Sequence, residues 1–424
     1  MIASERTVAA PGGLRTIARD GGLLFAARLI AQASRLGYVL LVVRALGPDL
    51  YGVLVYLQAW GLMFLPLVNM GSQALLSRAF GCSLLEGQMM AQRLWTLRLV
   101  AVPVLTALII GLGMAGEPDP AIRPLFLIIG AALVGRGLAA WSNNVLVANR
   151  RSDQVLVIEL VFRLGEVAAA ALALKWGAGI TALLAIHAVG WWLQAASSAL
   201  WVGAKVVRPA WRWRDLGGLM LLRQNAAAMM AGLALFTLLQ GPVVLGRHVL
   251  GTEAVLGQLG LAMQLLSVLA AVPNALGIAA LPVLVGAGAD LGRRYLRFVV
   301  PASVVVALAL AGISAVAGGP VLGLLFGERF AAAAPLLTVG LLVLLVPLAP
   351  AALLSQAALA STRPGALRHV AVAALGGLAG GLLAAGLAVP RWGAEGILFA
   401  AGGGAVVWLL LLIRIHLRLA RTPS

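Results

Sequence analysis

The sequence alternates long apolar runs with short polar segments, and the apolar runs are continuous rather than interrupted at every second residue. A helix of about 20 apolar residues crosses the hydrocarbon core of a bilayer, whereas membrane strands alternate in hydrophobicity. The pattern therefore predicts an all-α, polytopic membrane helix bundle of about 12 transmembrane helices. The predicted spans cover residues 21–43, 50–71, 94–115, 123–147, 154–174, 178–203, 223–246, 254–285, 298–318, 333–360, 370–390 and 396–415.

The first two spans are separated only by the turn LGPD at residues 46–49. A turn this short joins two antiparallel helices. The sequence therefore predicts that the bundle begins with a helical hairpin in the bilayer.

Basic residues are distributed unevenly between the loops. With the N-terminus placed in the cytoplasm, the cytoplasmic segments carry 19 basic residues and the opposite segments carry six. Since cytoplasmic loops are enriched in Lys and Arg, both termini are predicted to be cytoplasmic. The net charge of +17 has the same origin, because no basic domain is present that would bind nucleic acid.

The two halves of the chain resemble each other around two turns. The segment LGPDLYG (46–52) follows the first span, and LGTEAVLG (250–257) follows the seventh. Each is followed by a long span with a late proline, Pro66 and Pro273. Transporters built from repeated halves place their substrate between the halves. We therefore predict an N-terminal half, residues 1–210, and a C-terminal half, residues 211–424, of six helices each.

Ionisable residues inside the spans indicate a polar cavity. Arg28, Gln32 and Arg35 share one face of the first span, and Arg136 lies deep in the fourth. A charged side chain at a helix centre costs roughly 2.5–3.5 kcal/mol, so it usually faces a cavity or a partner. One guanidinium group can donate two parallel hydrogen bonds to phosphate oxygens. Arg28, Arg35 and Arg136 are therefore predicted to bind a diphosphate. Alternatively, Arg28 extends to the cytoplasmic interface.

The fifth span repeats this spacing with Glu159, Arg163 and Glu166, and His187 lies at mid-depth in the sixth span. The first three form a salt-bridge ladder in one interpretation. In the other, one carboxylate is left over and binds a coupling proton or sodium ion. His187 is either a proton relay or a structural, hydrogen-bonded residue.

Uncharged polar side chains complete the predicted cavity. The amides are Asn143, Asn144, Gln240 and Gln264, and the aromatic candidates for sugar contacts are Trp141, Trp191 and Trp192. The alternative for the tryptophans is membrane anchoring. Arg98, near the start of the third span, is expected to reach the cytoplasmic interface.

Signatures of catalysis and metal binding are missing from the sequence. The four histidines are scattered, no phosphate-binding loop occurs, and the single Cys82 excludes an internal disulfide. We therefore expect no enzyme activity, no metal site and no cofactor.

Several motifs resemble those of one family. RALGPDLYG (44–52), LFGERF (325–330) and PRWGAEG (390–396) are similar to segments of the polysaccharide transporters, the O-antigen and exopolysaccharide flippases of the multidrug/oligosaccharidyl-lipid/polysaccharide (MOP) exporter superfamily. That family commonly carries an Asp near the outer end of the seventh span. Here the nearest polar residue is Gln240.

The resemblance implies a flippase that carries a polyprenyl-diphosphate-linked oligosaccharide across the bacterial inner membrane by alternating access. Its implied partners are the lipid-linked oligosaccharide, the bilayer and other membrane proteins of polysaccharide assembly. Two alternatives stay open. A multidrug antiporter of the same superfamily would favour an acidic cavity, and a membrane-embedded polysaccharide polymerase or ligase would favour a large outer loop.

Overall fold

The computed structural model describes residues 14–149, 151–213, 218–286, 289–359 and 366–421, which contain helices and connecting turns but no strand. The predicted all-α membrane bundle is therefore confirmed. The helices are α1 (Leu14–Met63), α2 (Leu65–Asn69), α3 (Gln73–Cys82), α4 (Leu84–Gly116), α5 (Leu125–Ala148), α6 (Ser152–Lys175), α7 (Ile180–Lys205), α8 (Gly218–Val249), α9 (Glu253–Gly286), α10 (Ala289–Phe326), α11 (Ala333–Gly340), α12 (Val346–Leu359) and α13 (Ala366–Arg421). A 3₁₀ turn at Glu328–Phe330 precedes α11, and a π-helical turn at Leu341–Leu345 joins α11 to α12.

Nine helices in the described part of the chain are long and apolar enough to cross a membrane. Two of these contain a glycine with positive φ, Gly47 in α1 and Gly393 in α13, where the chain kinks between two predicted spans. Each therefore accounts for two spans. The remaining predicted span is α6, whose charged residues Glu159, Arg163 and Glu166 set it apart from the apolar nine.

The second span is interrupted in a way that the sequence pattern does not predict. After Met63 the chain breaks, forms the short α2, and then passes through Met70 and Gly71 with φ values of 55° and 56°. Two successive left-handed residues end a helix, because they turn its carbonyl groups out of the helical ladder. The exposed carbonyls need donors from elsewhere in the molecule.

The two turns that suggested a repeat lie against each other. A Cβ atom on Gly52 would come within 2.6 Å of the Glu253 carbonyl oxygen, and one on Gly257 would overlap the Pro48 carbonyl. Only glycine permits backbones to approach this closely. These two glycines therefore allow α1 to pack tightly on α9 across the predicted halves. The boundary at 210/211 stays a prediction.

Candidate substrate cavity and its ionic clusters

A cavity of about 590 Å³ lies between the predicted halves. Its wall is formed by α1, α2, the first residue of α3, α5, α6 and α7 on one side and by α8 and α9 on the other. It extends to Val147 and Val155, beside the turn that joins α5 to α6. The positive-inside pattern assigns this end of the bundle to the cytoplasm.

Arg35 and Gln32 project from α1 into this cavity. Arg35 Nη2 donates a 2.9 Å hydrogen bond to Gln264 Oε1, which joins α1 to α9 of the other half. The Gln32 Oε1 atom is buried and has no hydrogen-bond partner among the described residues. The Arg28 side chain lies outside the described residues, so its predicted role stays a prediction.

Two guanidinium groups pack on the ring of Trp191, which also lines the cavity. The Arg163 guanidinium carbon lies 4.1 Å from the ring centroid, and that of Arg136 lies 4.8 Å away. Cation–π contact of this kind attracts a cation to the negative face of the indole. Trp191 therefore holds two of the cavity cations in place.

We call Glu159, Arg163, Glu166 and His187 the cavity cluster. Arg163 contacts both carboxylates, at 3.7 Å from Glu159 Oε2 and at shorter range from Glu166 Oε2. Glu166 Oε1 also contacts His187 Nδ1. Each carboxylate therefore has a partner, as the ladder interpretation predicts, and the ladder also extends to the histidine.

The predicted amides lie in the cavity wall and are hydrogen-bonded there. Asn143 donates to Glu159 at 3.1 Å, Asn144 donates to the Ser72 hydroxyl at 3.1 Å, and Gln240 donates to the Ser267 hydroxyl at 2.9 Å. Gln194 was not among the predicted residues, yet it accepts from Arg163 at 2.7 Å and donates to Glu159 at 3.2 Å. Its position seven residues after His187, on the same helix face, is the signal that would have found it.

Two expectations for single residues are wrong. Trp141 is fully buried and donates to the Ala91 carbonyl at 2.8 Å, so it packs in the protein interior and does not line the cavity. Arg98 is also fully buried and does not reach the interface. It donates to the Asn69 carbonyl at 2.7 Å and to the Ser72 hydroxyl at 2.6 Å, beside the break after α2.

The opposite end of the bundle is closed by a second ionic group, which we call the sealing cluster: Glu117, Arg247 and Glu253. Arg247 Nη2 donates to Glu117 Oε1 at 2.8 Å, and Arg247 Nη1 contacts Glu253. Glu117 directly follows α4 in the predicted N-terminal half, whereas Arg247 lies in α8 of the predicted C-terminal half. Arg44 adds bonds of 2.7 Å and 2.6 Å to the carbonyls that end α10.

Glu117 is fully buried at this closed end. Burial by itself raises the pKa of its carboxyl group, but hydrogen bonds from Arg247 and from the Asp119 amide outweigh that effect. The net result is a pKa below the ordinary value for a glutamic acid. Glu117 is therefore ionised at neutral pH and pairs with Arg247.

No group of three or more possible metal ligands occurs among the described residues. The polar groups in the cavity wall are guanidinium groups, two carboxylates, amides, hydroxyl groups, an imidazole and the indole of Trp191.

The architecture is that of a class of membrane transporters. The chain matches solved structures of the MOP superfamily over nearly its whole length, and the low identity means that the similarity concerns the fold. No family model and no curated protein sequence matches the chain.

Three of these structures show the range of the class. The lipid II flippase MurJ, in an inward closed conformation, has a TM-score of 0.69 at 15% identity, with 95% of this chain and 88% of that chain covered. The MATE transporter VcmN of Vibrio cholerae, in the bent form, has a TM-score of 0.63 at 17% identity, with 96% and 98% covered. A MOP superfamily transporter from Pyrococcus furiosus, described as having a binding pocket of reverse polarity, has a TM-score of 0.64 at 13% identity, with 95% and 96% covered.

These neighbours are transporters and a flippase rather than enzymes. Together with the spans, they identify the chain as a multi-pass membrane protein with a MOP-type transporter fold. A lipid II flippase and a multidrug resistance transporter share this fold, so the fold alone does not define the substrate.

Proposed function

We propose that this protein is a flippase that moves a polyprenyl-diphosphate-linked oligosaccharide across the bacterial inner membrane by alternating access. The observation that carries the proposal is the pair of arginines, Arg35 and Arg136, in a cavity between the halves. Within the described residues, neither of them forms an ion pair with a carboxylate. An unpaired guanidinium group in a membrane cavity is expected to bind an anionic ligand.

The charge of the cavity supports an anionic substrate. Its wall contains the guanidinium groups of Arg35, Arg136 and Arg163 and the carboxylates of Glu159 and Glu166, so these groups sum to a net positive charge. Arg163 is balanced by its two carboxylate contacts. Arg35 and Arg136 are the groups left to bind phosphate oxygens through their planar, paired N–H donors.

The amides in the cavity wall suit the sugar portion of such a substrate. Among the described residues, the side chains of Asn144 and Gln240 donate to serine hydroxyl groups, and a sugar hydroxyl can accept the same kind of hydrogen bond. Gln32 offers an unpartnered acceptor. The lipid tail stays in the bilayer while the headgroup passes through the cavity.

Translocation requires the two halves to rock about this site. The Arg35–Gln264 hydrogen bond, which connects the two predicted halves, breaks when a diphosphate binds the Arg35 guanidinium group in place of Gln264. The sealing cluster then separates and the cytoplasmic end closes. Membrane proteins that assemble the polymer would receive the oligosaccharide at the outer face.

Export of cationic drugs is the second candidate, and it is favoured by the MATE neighbours and by the two carboxylates in the cavity. A cationic drug would have to compete with Arg163 for both carboxylates. It would also meet the unpaired Arg35 and Arg136. The electrostatics of the cavity therefore favour the lipid-linked anion.

The experiment that tests the proposal measures lipid-linked oligosaccharide pools in a strain that lacks this protein. We expect polyprenyl-linked oligosaccharides to accumulate on the cytoplasmic side and surface polymer to disappear. Arg35→Ala protein should fail to rescue, whereas Arg368→Ala, which changes an exposed arginine of α13, should rescue fully. Unchanged pools together with increased drug sensitivity would contradict the flippase assignment.

A further inference from the structure

His187 is hydrogen-bonded at both of its ring nitrogens. Its Nδ1 atom contacts Glu166 Oε1, and its Nε2 atom lies 3.2 Å from Trp191 Nε1. An indole N–H can only donate, so Nε2 must be the acceptor. The remaining ring proton therefore sits on Nδ1 and is donated to Glu166. The partners thus fix a neutral histidine in a single tautomer.

A second proton on this ring would change its surroundings. It would bind to the Nε2 lone pair, and the new N–H would then point at the N–H of Trp191. Two donors cannot share a hydrogen bond, so the indole must turn away. Trp191 is also the ring on which Arg136 and Arg163 rest, so both guanidinium groups would lose their present contact.

We propose that His187 is a proton-binding site linked to diphosphate binding, and that its protonation moves Trp191 and releases Arg136 and Arg163 toward the substrate. This inference rests on the proposed function and adds a regulating ion to the same cavity. A proton passes from water in the cavity to Nε2, the Trp191–His187 hydrogen bond breaks, and the Nδ1–H bond to Glu166 is kept. No other bond changes.

The charged and titratable groups around His187 come from each helix packed beside it. α1 contributes Arg35 and Tyr38, α5 contributes Arg136, and α6 contributes Glu159, Arg163 and Glu166. The three arginines outnumber the two carboxylates, so an empty cavity disfavours another positive charge. A bound diphosphate reverses that balance. Proton and diphosphate therefore each strengthen the binding of the other, as linkage requires.

The first test does not depend on any substrate. Histidine labelled with ¹⁵N, in protein reconstituted in nanodiscs, distinguishes an Nδ1–H ring from an Nε2–H ring by its chemical shifts. We expect one resonance set of the Nδ1–H type at high pH that becomes imidazolium on acidification and is missing from His187→Gln protein. An Nε2–H ring at high pH would overturn the proposal.

Trp191→Phe gives a conservative comparison, because it keeps an aromatic face but removes the indole donor. The ¹⁵N chemical shift of the His187 Nε2 atom at high pH should change in this variant, because the ring nitrogen then no longer accepts a hydrogen bond from the indole. A tryptophan that acts only through packing would leave this chemical shift unchanged, and that result would overturn the proposal. His369→Gln, at an exposed histidine of α13, is the matched control.

The second test measures binding of undecaprenyl diphosphate at several values across about pH 5 to 8, the range in which histidines titrate. At each pH, the wild-type affinity is divided by the His187→Gln affinity, and this ratio cancels the effect of the ligand's own ionisation. This ratio should rise about fivefold or more toward acid pH, the lower end of typical couplings. A constant ratio overturns the proton linkage. No binding at any pH would instead refute the proposed function. The result of the first test, on the tautomer of His187, would remain valid because it needs no substrate.

Discussion

The sealing cluster and the cavity cluster are both built from arginine between carboxylates, yet they differ in what they connect. The Glu117–Arg247 pair joins the N-terminal half to the C-terminal half. The cavity cluster lies wholly on α6 and α7 of the N-terminal half. If the two predicted halves rock against each other, as proposed, the first cluster breaks and the second can stay intact.

Under the proposed mechanism, this difference gives two similar groups of residues separate roles. An ion pair between moving bodies works as a gate, because its energy is gained in one state only. An ion pair within one body can shape a binding site through the whole cycle.

The largest effect is expected for Arg163→Ala. The substitution removes the cation that contacts both Glu159 and Glu166 and leaves two carboxylates in the cavity without it. Loss of one partner from a buried ion pair costs about 3 kcal/mol or more. The melting temperature in detergent should therefore drop clearly, whereas Arg368→Ala should leave it unchanged. Equal melting temperatures would mean that the ion pairs of Arg163 in the cavity cluster do not stabilise the fold.

Gly257→Ala tests the close approach at the sealed end. The added methyl group would overlap the Pro48 carbonyl, and overpacking of this kind costs about 2 kcal/mol. That corresponds to a shift of about 30-fold toward the state in which this end is open. Spin labels at Trp176→Cys and Thr252→Cys, in a Cys82→Ser background, should report a longer distance.

The matched control for this change lies in the same turn. Gly251 has no neighbour near the position of a Cβ atom, so Gly251→Ala should leave the spin-label distance as it is in the wild type. If both glycine variants behave alike, the contact between the two turns does not hold the end closed.

Glu117→Gln should also increase the population in which the sealed end is open, but by less than Gly257→Ala. The amide keeps the shape of the side chain but loses the charge that pairs with Arg247, at a cost of about 1.5 kcal/mol. The same spin labels should report an increased open population. Glu395→Gln, an exposed carboxylate in α13, is the control. A normal distance distribution in Glu117→Gln protein would show that the charge is not needed for closure.

The smallest effect is expected from pH at the sealing cluster. The pKa of Glu117 is lowered in the closed state, so its stabilising effect is complete at neutral pH and is lost only as the pH falls through that lowered pKa. The spin-label distance should therefore stay constant near neutrality and increase only in acid. Glu117→Gln should abolish the acid response. A response centred near neutral pH would assign the titration to another group.

The membrane pattern could be predicted from sequence because every span must satisfy its backbone internally and present apolar side chains to lipid. The span in α6 could also be predicted, because its charged residues Glu159, Arg163 and Glu166 lie on one face of a helix. The turns at Gly47 and Gly393 were marked by neighbouring prolines.

The internal contacts of the charged residues were not predictable in the same way. Distance from a helix end suggested that Arg98 reaches the interface, but the carbonyls exposed by the break at Met70 draw it inward. The Glu117–Arg247 pair joins positions 130 residues apart, and no periodicity connects them. Such contacts depend on how the halves pack, which local patterns do not encode.

The most direct test of the central claim is translocation in proteoliposomes that contain the purified protein and an undecaprenyl-diphosphate-linked oligosaccharide in one leaflet. Accessibility of the sugar to an added lectin would report its arrival on the other side. The account predicts movement by the wild type, loss of movement in Arg136→Ala and normal movement in Arg368→Ala. Transport of a cationic dye with no movement of the lipid-linked sugar would contradict it.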